Sequence, residues 1–349
     1  MLRPPIKVGI VGFGLAGRSL HAPFIQALPE LELATVVTSR EIDATRFPSL
    51  RCLSSLDELL QDRSIELVVI ATPNLMHVEQ TLKALDAKKH VVCDKPVAET
   101  PDEVRMLASA ARKAERLLIP FQNRRWDGDF RTLGALVSSG RLGRIHTFEN
   151  RWSKYQPEPR TRVAWKAESR FNGPLYDLFP HLIDQAIVLF GRPRGVFARI
   201  EQNRPTATLP DRVRLLLDYD SGLEALLEVD QLDAFSGRQL RLRGLLGCFE
   251  KEGFDPQEAR LVAGEVPIGD DWGHEPSELF GRLRLAGKPE DLRIPTLPGD
   301  HRIFYRGVVD AIAGGAPPPV SLDDVVVQAE IIEAAVRSNE TKQRVELEN

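Results

Sequence analysis

Apolar residues in the first third of the chain come in short, nearly unbroken runs: KVGIVGFG, LELATVVTS, IELVVIAT, HVVCDKP and RLLIPFQ. Runs of this kind predict strands buried on both faces, the habit of a parallel sheet. Between them lie amphipathic stretches, among them SSLDELLQD, HVEQTLKALDAKK and TPDEVRMLASAARKAE, whose apolar positions recur at helical spacing. The alternation predicts a doubly wound parallel sheet of five strands, joined by right-handed crossovers and covered by helices on both faces. One helix start is especially clear: Thr100 as N-cap, Pro101 at the first helical position, then Asp102 and Glu103 in the first turn.

After about residue 122 the rhythm changes. RIHTFENRW, RGVFARIEQN, RVRLLLDYD, GLEALLEVDQL and RQLRLRGLLG largely alternate apolar with polar positions, which predicts a large, mostly antiparallel open sheet covered on one face. Asp220-Ser221-Gly222 reads as a hairpin tip. A Pro-rich loop, GGAPPPVS, precedes a final helix from about Leu322 to Asn339. The fold class is therefore α/β: an N-terminal Rossmann domain over 1–122 and an α+β domain over 123–349. RVRLLLDY and GLEALLEV place leucines on both sides of their strands, at Leu215, Leu216, Leu217, Leu223, Leu226 and Leu227. A sheet apolar on both faces exposes a patch that monomers rarely tolerate, so a homodimer or homotetramer through this sheet is expected. The competing expectation is that the segment 270–301 folds over the sheet and hides it.

Composition narrows the function classes. At 349 residues the chain exceeds one typical core. A net charge of -4 gives no basic footprint for nucleic acid. No apolar run approaches a bilayer span. Three widely spaced cysteines suggest neither a disulfide framework nor a zinc site, and an N-terminus without an export signal predicts the cytoplasm.

The first strand ends in G-x-G-x-x-G, with Gly12, Phe13, Gly14, Leu15, Ala16 and Gly17 forming the turn. Here the motif follows a strand, opens a helix and begins a βαβ unit, the context that makes it a dinucleotide site. The helix start offers free N–H groups to phosphates. An NAD site usually carries an acid at the end of the second strand; that strand ends in Thr38, Ser39 and Arg40 instead. A hydroxyl followed by a guanidinium suits a 2′-phosphate, so NADP is expected, with NAD as the alternative. Arg40 is otherwise a solvated strand-end residue.

NGPLYDLFPHLIDQ, over 172–185, sets Asp177, His181 and Asp184 at i, i+4 and i+7 in an apolar run, one stripe of a helix. Pro180 either kinks that helix or marks its true beginning. A histidine, which titrates near neutrality, beside a carboxylate suits a proton-transfer base. On spacing alone, a buried histidine satisfied by two carboxylates is an equal reading. Too few histidines and cysteines accompany the run for a catalytic zinc, so no metal is expected. Further candidates follow strands at the ligand-binding edge: Thr72, Pro73, Asn74 and His77 after the third run, Lys95 after the fourth, Asn123, Arg124 and Trp126 after the fifth; the other readings are a helix cap, a surface lysine and a plain interdomain joint. Tyr155 and Trp165, with Arg151, are polar-aromatic groups of the kind that line a binding cleft, and a surface loop looks the same. His21, His90, His146, His274 and His301 carry no motif and read as structural.

At ATPNLMH, CDKP and GPLYDLFPHLID the chain resembles the Gfo/Idh/MocA oxidoreductases over nearly its whole length. Asp94-Lys95-Pro96 stands where that family has E-K-P, and Asp177 with His181 matches its D-x-x-x-H. NRRWDGDF and GFDPQE look most like its NADP-dependent scyllo-inositol dehydrogenase branch. The resemblance implies hydride transfer between a nicotinamide and a hydroxyl carbon of a cyclic polyol or sugar. It gives Lys95 a substrate-positioning and charge-stabilising role, His181 that of base, and Asp177 that of its orienter or an acceptor for a substrate hydroxyl. The alternative is a non-catalytic dinucleotide-sensing regulator on the same fold.

Overall fold

The computed structural model of the protein describes residues 4–158, 173–205 and 207–347. It forms two compact units. The first comprises 1–126, 256–272 and 300–326; the second comprises 127–255, 273–299 and 327–349. The first unit is thus discontinuous in sequence, where a single boundary after residue 122 was expected. Local periodicity reports what element a segment forms, not which body a returning segment joins.

The sheet of the first unit runs β3-β2-β1-β4-β5-β6, all parallel. Its strands are β1 (Ile6–Val11), β2 (Leu31–Val37), β3 (Arg51–Leu53), β4 (Leu67–Ile70), β5 (His90–Cys93) and β6 (Leu118–Pro120). Five strands were expected and six are present. The extra one, β3, is a three-residue edge strand on β2, too short and too exposed to leave a period in the sequence. Central β4 is buried throughout, as its Leu-Val-Val-Ile run requires; each such side chain contributes roughly 1.5–3 kcal/mol by leaving water. Strand order reverses between β1 and β4, so the chain leaves neighbouring strands in opposite directions there. Ligands bind at such switch points in open α/β sheets. Thr100 and Glu103 form a reciprocal capping box at the start of the helix Pro101–Ala114: the Glu103 N–H donates to Thr100 Oγ1 at 3.2 Å and the Thr100 N–H to Glu103 Oε2 at 3.1 Å.

The second unit carries a nine-stranded sheet. Its strands are β7 (Ile145–Tyr155), β8 (Gly195–Glu201), β9 (Arg212–Asp218), β10 (Glu224–Asp230), β11 (Leu232–Gly244), β12 (Gly247–Glu252), β13 (Gly281–Leu285), β14 (Leu292–Ile294) and β15 (Val345–Glu346). The order is β14-β13-β12-β11-β7-β10-β9-β8-β15, antiparallel except for β7 with β10. Val213, Leu215 and Leu217 from β9 and Leu227 from β10 join Leu182, Ile183, Ile331 and Ala335 in one buried core. The last two come from the final helix, Leu322–Thr341, which therefore does cover this face.

The opposite face differs from the expected apolar surface. Leu216 pairs with Leu226 on one side and with Phe197 on the other, all three half-buried. Around this short row stand ion pairs: Arg212 with Glu228 at 2.7 Å, Arg151 with Glu149 at 3.1 Å, and Arg241 with Glu250 at 2.7 Å. The leucines of β9 were legible; that Arg212 and Arg214 beside Leu216 meet matching acids on neighbouring strands depends on register. Nor does the segment after residue 270 lie over the sheet where it is strand: β13 and β14 extend the sheet at its edge.

Candidate active site

In the first unit, Gly12 has φ +90°, and a Cβ there would sit 2.6 Å from the Ala71 carbonyl oxygen. At Gly17 a Cβ would lie 2.1 Å from the Gly12 carbonyl oxygen, so no side chain fits without moving backbone. Gly14 is the contrast: nothing stands within 4 Å of where its Cβ would be. Two glycines are required by the turn itself and the third leaves open space, the cradle that a pyrophosphate occupies. Leu15 is exposed beside it. At the end of β2, Ser39 and Arg40 are exposed, and the Arg40 N–H donates to Thr38 Oγ1 at 3.0 Å. No carboxylate occupies 38–40. These residues fit a dinucleotide.

After β4, Thr72 Oγ1 donates to Gln80 Oε1 at 2.6 Å, and Asn74 Oδ1 accepts the Leu75 N–H at 3.1 Å. His77 is buried rather than presented to a ligand. Its Nδ1 lies 2.8 Å from the Pro96 carbonyl oxygen and its Nε2 lies 2.9 Å from that of Thr72. Burial opposes a charge on this ring, but the Cys93 and Asp94 side chains and the Pro96 carbonyl outweigh it and raise its pKa to about 9.

Asp94 and half-buried Lys95 follow β5, and the Lys95–Pro96 peptide is cis. His21, read as structural from sequence, bridges Tyr305 to Asp94: Nδ1 is 2.6 Å from the Tyr305 hydroxyl and Nε2 is 3.2 Å from Asp94 Oδ1. All three groups are satisfied when Tyr305 donates to Nδ1 and Nε2–H donates to Asp94. Burial pushes the Tyr305 hydroxyl well above its usual range, with the Asp94 charge adding to the effect, so the donor keeps its proton. Burial also works against the Asp94 carboxylate, yet the hydrogen bond from His21 and the charges of His77 and Lys95 hold its pKa below the ordinary value. Tyr305 lies 284 residues from His21, and no local signal joins them.

Asn123 is buried. Arg124 pairs with Glu258, and Trp126 stacks edge-on to Phe304 with centroids 5.6 Å apart. Both contacts lie within the first unit.

In the second unit, the run around His181 is two helices. Pro174–Asp177 ends before Leu178, and Phe179–Phe190 begins anew with Pro180 in its first turn. Of the two outcomes Pro180 allowed, a fresh helix start is the one found. Asp177 is exposed, whereas His181 and Asp184 are buried. The His181 ring stacks on Trp152, centroids 6.1 Å apart and planes 24° from parallel. Beneath the indole is a buried polar network that the sequence reading missed. Trp152 Nε1 donates to Asn150 Oδ1 at 3.1 Å, and Asn150 Nδ2 to Gln185 Oε1 at 2.9 Å. Arg238, fully buried, donates to Gln185 Oε1 at 2.6 Å and to Asp129 Oδ2 at 2.6 Å, and its guanidinium lies 5.3 Å from the Trp152 centroid. Burial, with Asp127 and Asp255 nearby, overcomes Arg238 and raises the Asp129 pKa to about 6. The available signal was Asn150, a polar side chain on the β7 face that also presents Phe148 and Trp152 to the core. Arg238 faces Trp152 only through the β7–β11 register. Tyr155, at the end of β7, is largely exposed, and Arg151 points to the ion-paired face. Trp165 lies outside the described residues.

Comparison with known proteins adds to this geometry. Residues 6–121 match the model of an oxidoreductase family with an NAD-binding Rossmann fold, and 130–250 match the GFO/IDH/MocA C-terminal domain. The chain belongs to the Gfo/Idh/MocA oxidoreductases. Its relatives in the family include the scyllo-inositol 2-dehydrogenase (NADP(+)) of Bacillus subtilis, 37% identical over 99% of this chain and 96% of that protein. The D-glucoside 3-dehydrogenase of Escherichia coli is 30% identical over 55% of this chain and 56% of its own length. The solved structure of the yvaA protein of Bacillus subtilis is similar with a TM-score of 0.93 at 36% identity, covering 99% of each chain. Among the described residues, no helix of this Gfo/Idh/MocA member is long and apolar enough to cross a membrane.

Proposed function

We propose that the protein is an NADP-dependent dehydrogenase that transfers a hydride between the nicotinamide and a hydroxyl carbon of a cyclic polyol or sugar. The observation that carries this reading is a histidine stacked on a buried indole platform in a chain whose first unit keeps the open glycine cradle and Lys95. Gly12, Gly14 and Gly17, with Thr72, Pro73 and Asn74, hold the dinucleotide; once bound, it supplies the hydride acceptor. His181 takes the hydroxyl proton as the carbinol C–H bond breaks and the carbon becomes a carbonyl. Lys95 steadies the developing charge on that oxygen, and Asp177 orients the substrate or the imidazole. Assay of NADP and NAD reduction across a panel of inositols and aldoses tests the reading. Dinucleotide binding without turnover on any of them, joined to a stable protein partner, favours the regulatory alternative.

Cofactor choice rests on Arg40 at the end of β2, where an NAD site has an acid. Arg40→Ala is expected to raise KM for NADP about tenfold or more, the loss of one charge-assisted phosphate contact, and to leave KM for NAD nearly unchanged. Equal effects on both cofactors, or a wild-type preference for NAD, remove the 2′-phosphate role.

For assembly, the occupant proposed for the ion-paired sheet face is a second copy. The Phe197–Leu216–Leu226 row is flanked by both signs of charge, so a two-fold copy meets its own complement. Light scattering at micromolar concentration should give twice the 39.0 kDa chain mass or more, and Leu216→Arg should return it to the monomer with an unchanged circular dichroism spectrum. A wild type that scatters as a monomer ends this proposal.

A further inference from the structure

The ring of His77 bridges two loops that leave neighbouring strands. One follows β4 and carries Thr72, Pro73 and Asn74; the other follows β5 and carries Asp94, Lys95 and Pro96. Its partners are the carbonyl oxygens of Thr72 and Pro96, at 2.9 and 2.8 Å. A carbonyl only accepts. A neutral imidazole has one N–H and would turn a lone pair toward the second carbonyl, so this geometry calls for a proton on both ring nitrogens. The ring is 1% exposed, and an unbalanced charge there would be costly. Two titratable groups face it: the Cys93 thiol at the end of β5, which also hydrogen-bonds the ring, and the Asp94 carboxylate, which balances the charge.

We infer that His77 is a positioning residue: a buried imidazolium that ties the Thr72 carbonyl to the Pro96 carbonyl and so fixes the loop bearing Lys95 against the loop that borders the dinucleotide site. The role in turnover rests on the dehydrogenase reading, but the clamp itself does not. It is tested first in the wild type. At about pH 7.5, where an ordinary histidine is mostly neutral, a 15N–1H spectrum of histidine-labelled protein should show both His77 ring nitrogens protonated. One bare ring nitrogen at that pH overturns the inference, whether or not any variant folds. In His77→Ala, amide hydrogen exchange should quicken at 72–76 and 94–97 and stay unchanged at 13–18. Turnover, kcat, should fall by about 10²-fold, the scale of a misplaced catalytic group. His77→Gln, which keeps one donor, should recover part of both effects. Exchange that quickens equally at 13–18, or not at all, contradicts the clamp. Failure to find a substrate bears on the dehydrogenase reading and leaves the spectrum and the exchange pattern to decide this one.

Discussion

On the proposed dehydrogenase reading, replacing His181 with alanine is expected to lower kcat on a polyol or sugar substrate by about 10²–10⁴-fold, the usual contribution of a positioned general base. Dinucleotide affinity should stay within about twofold, because the glycine cradle belongs to a different unit of the chain. Breaking the carbinol C–H bond while the oxygen keeps its proton produces a protonated carbonyl, a strong acid. A group near neutrality that accepts the proton lowers that barrier. His181 is fixed for the task from two sides: its helix restarts at Phe179, and its ring lies on Trp152. The lost rate should depend on pH, with the variant's profile missing the limb that reports the base. A variant that keeps most of the rate across the pH range assigns the proton transfer elsewhere.

Arg238→Met should destabilise the second unit by about 3–5 kcal/mol, the scale for breaking a buried ion pair by removing one partner. The variant removes the guanidinium that faces Asp129 at 2.6 Å and Asp127 at 3.4 Å, leaving both buried carboxyls without that cation. It also removes a donor from Gln185, which in turn holds Asn150 beneath Trp152. The sign of the pH dependence follows from Asp129. Its folded pKa, already about 6 with Arg238 present, rises further once the cation is gone. A carboxyl whose folded pKa lies above its unfolded one favours the folded state only when protonated. Stability of the variant should therefore recover as pH falls from 7 toward 4, whereas a packing defect alone would be flat. Denaturant unfolding at several pH values makes the measurement. A loss under about 1 kcal/mol at pH 7 would mean that the network does not hold the platform.

What the sequence disclosed and what it hid divide along one physical line. Features that a few consecutive residues dictate were readable: the glycine turn, the helix start at Thr100, the hairpin at Asp220-Ser221-Gly222, an interruption of the helix at Pro180. Each is a matter of backbone sterics or a local hydrogen bond. Features created by register or by chain return were not. Arg238 meets Trp152 because a bulge in β11 brings residue 237 opposite Ser153. Tyr305 reaches His21 because 300–326 packs with the first unit. His77 was noticed as a histidine near a strand end, but its two carbonyl partners lie on separate loops, and that pairing turns a candidate ligand contact into a buried clamp. The outer sheet face shows the same limit: leucines on β9 and β10 were visible, while the acids and arginines that surround them come from strands distant in the chain.

The most direct measurement follows the hydride itself. The wild-type protein is incubated with NADP and a panel of polyols and sugars carrying deuterium on their carbinol carbons, scyllo-inositol among them, and the reduced cofactor is analysed by mass spectrometry. Dehydrogenase chemistry at a hydroxyl carbon predicts one deuterium in the nicotinamide for each carbonyl formed, with a slowed rate relative to the unlabelled substrate. Reduced cofactor that carries no deuterium, or bound dinucleotide that is never reduced by any member of the panel, would contradict it.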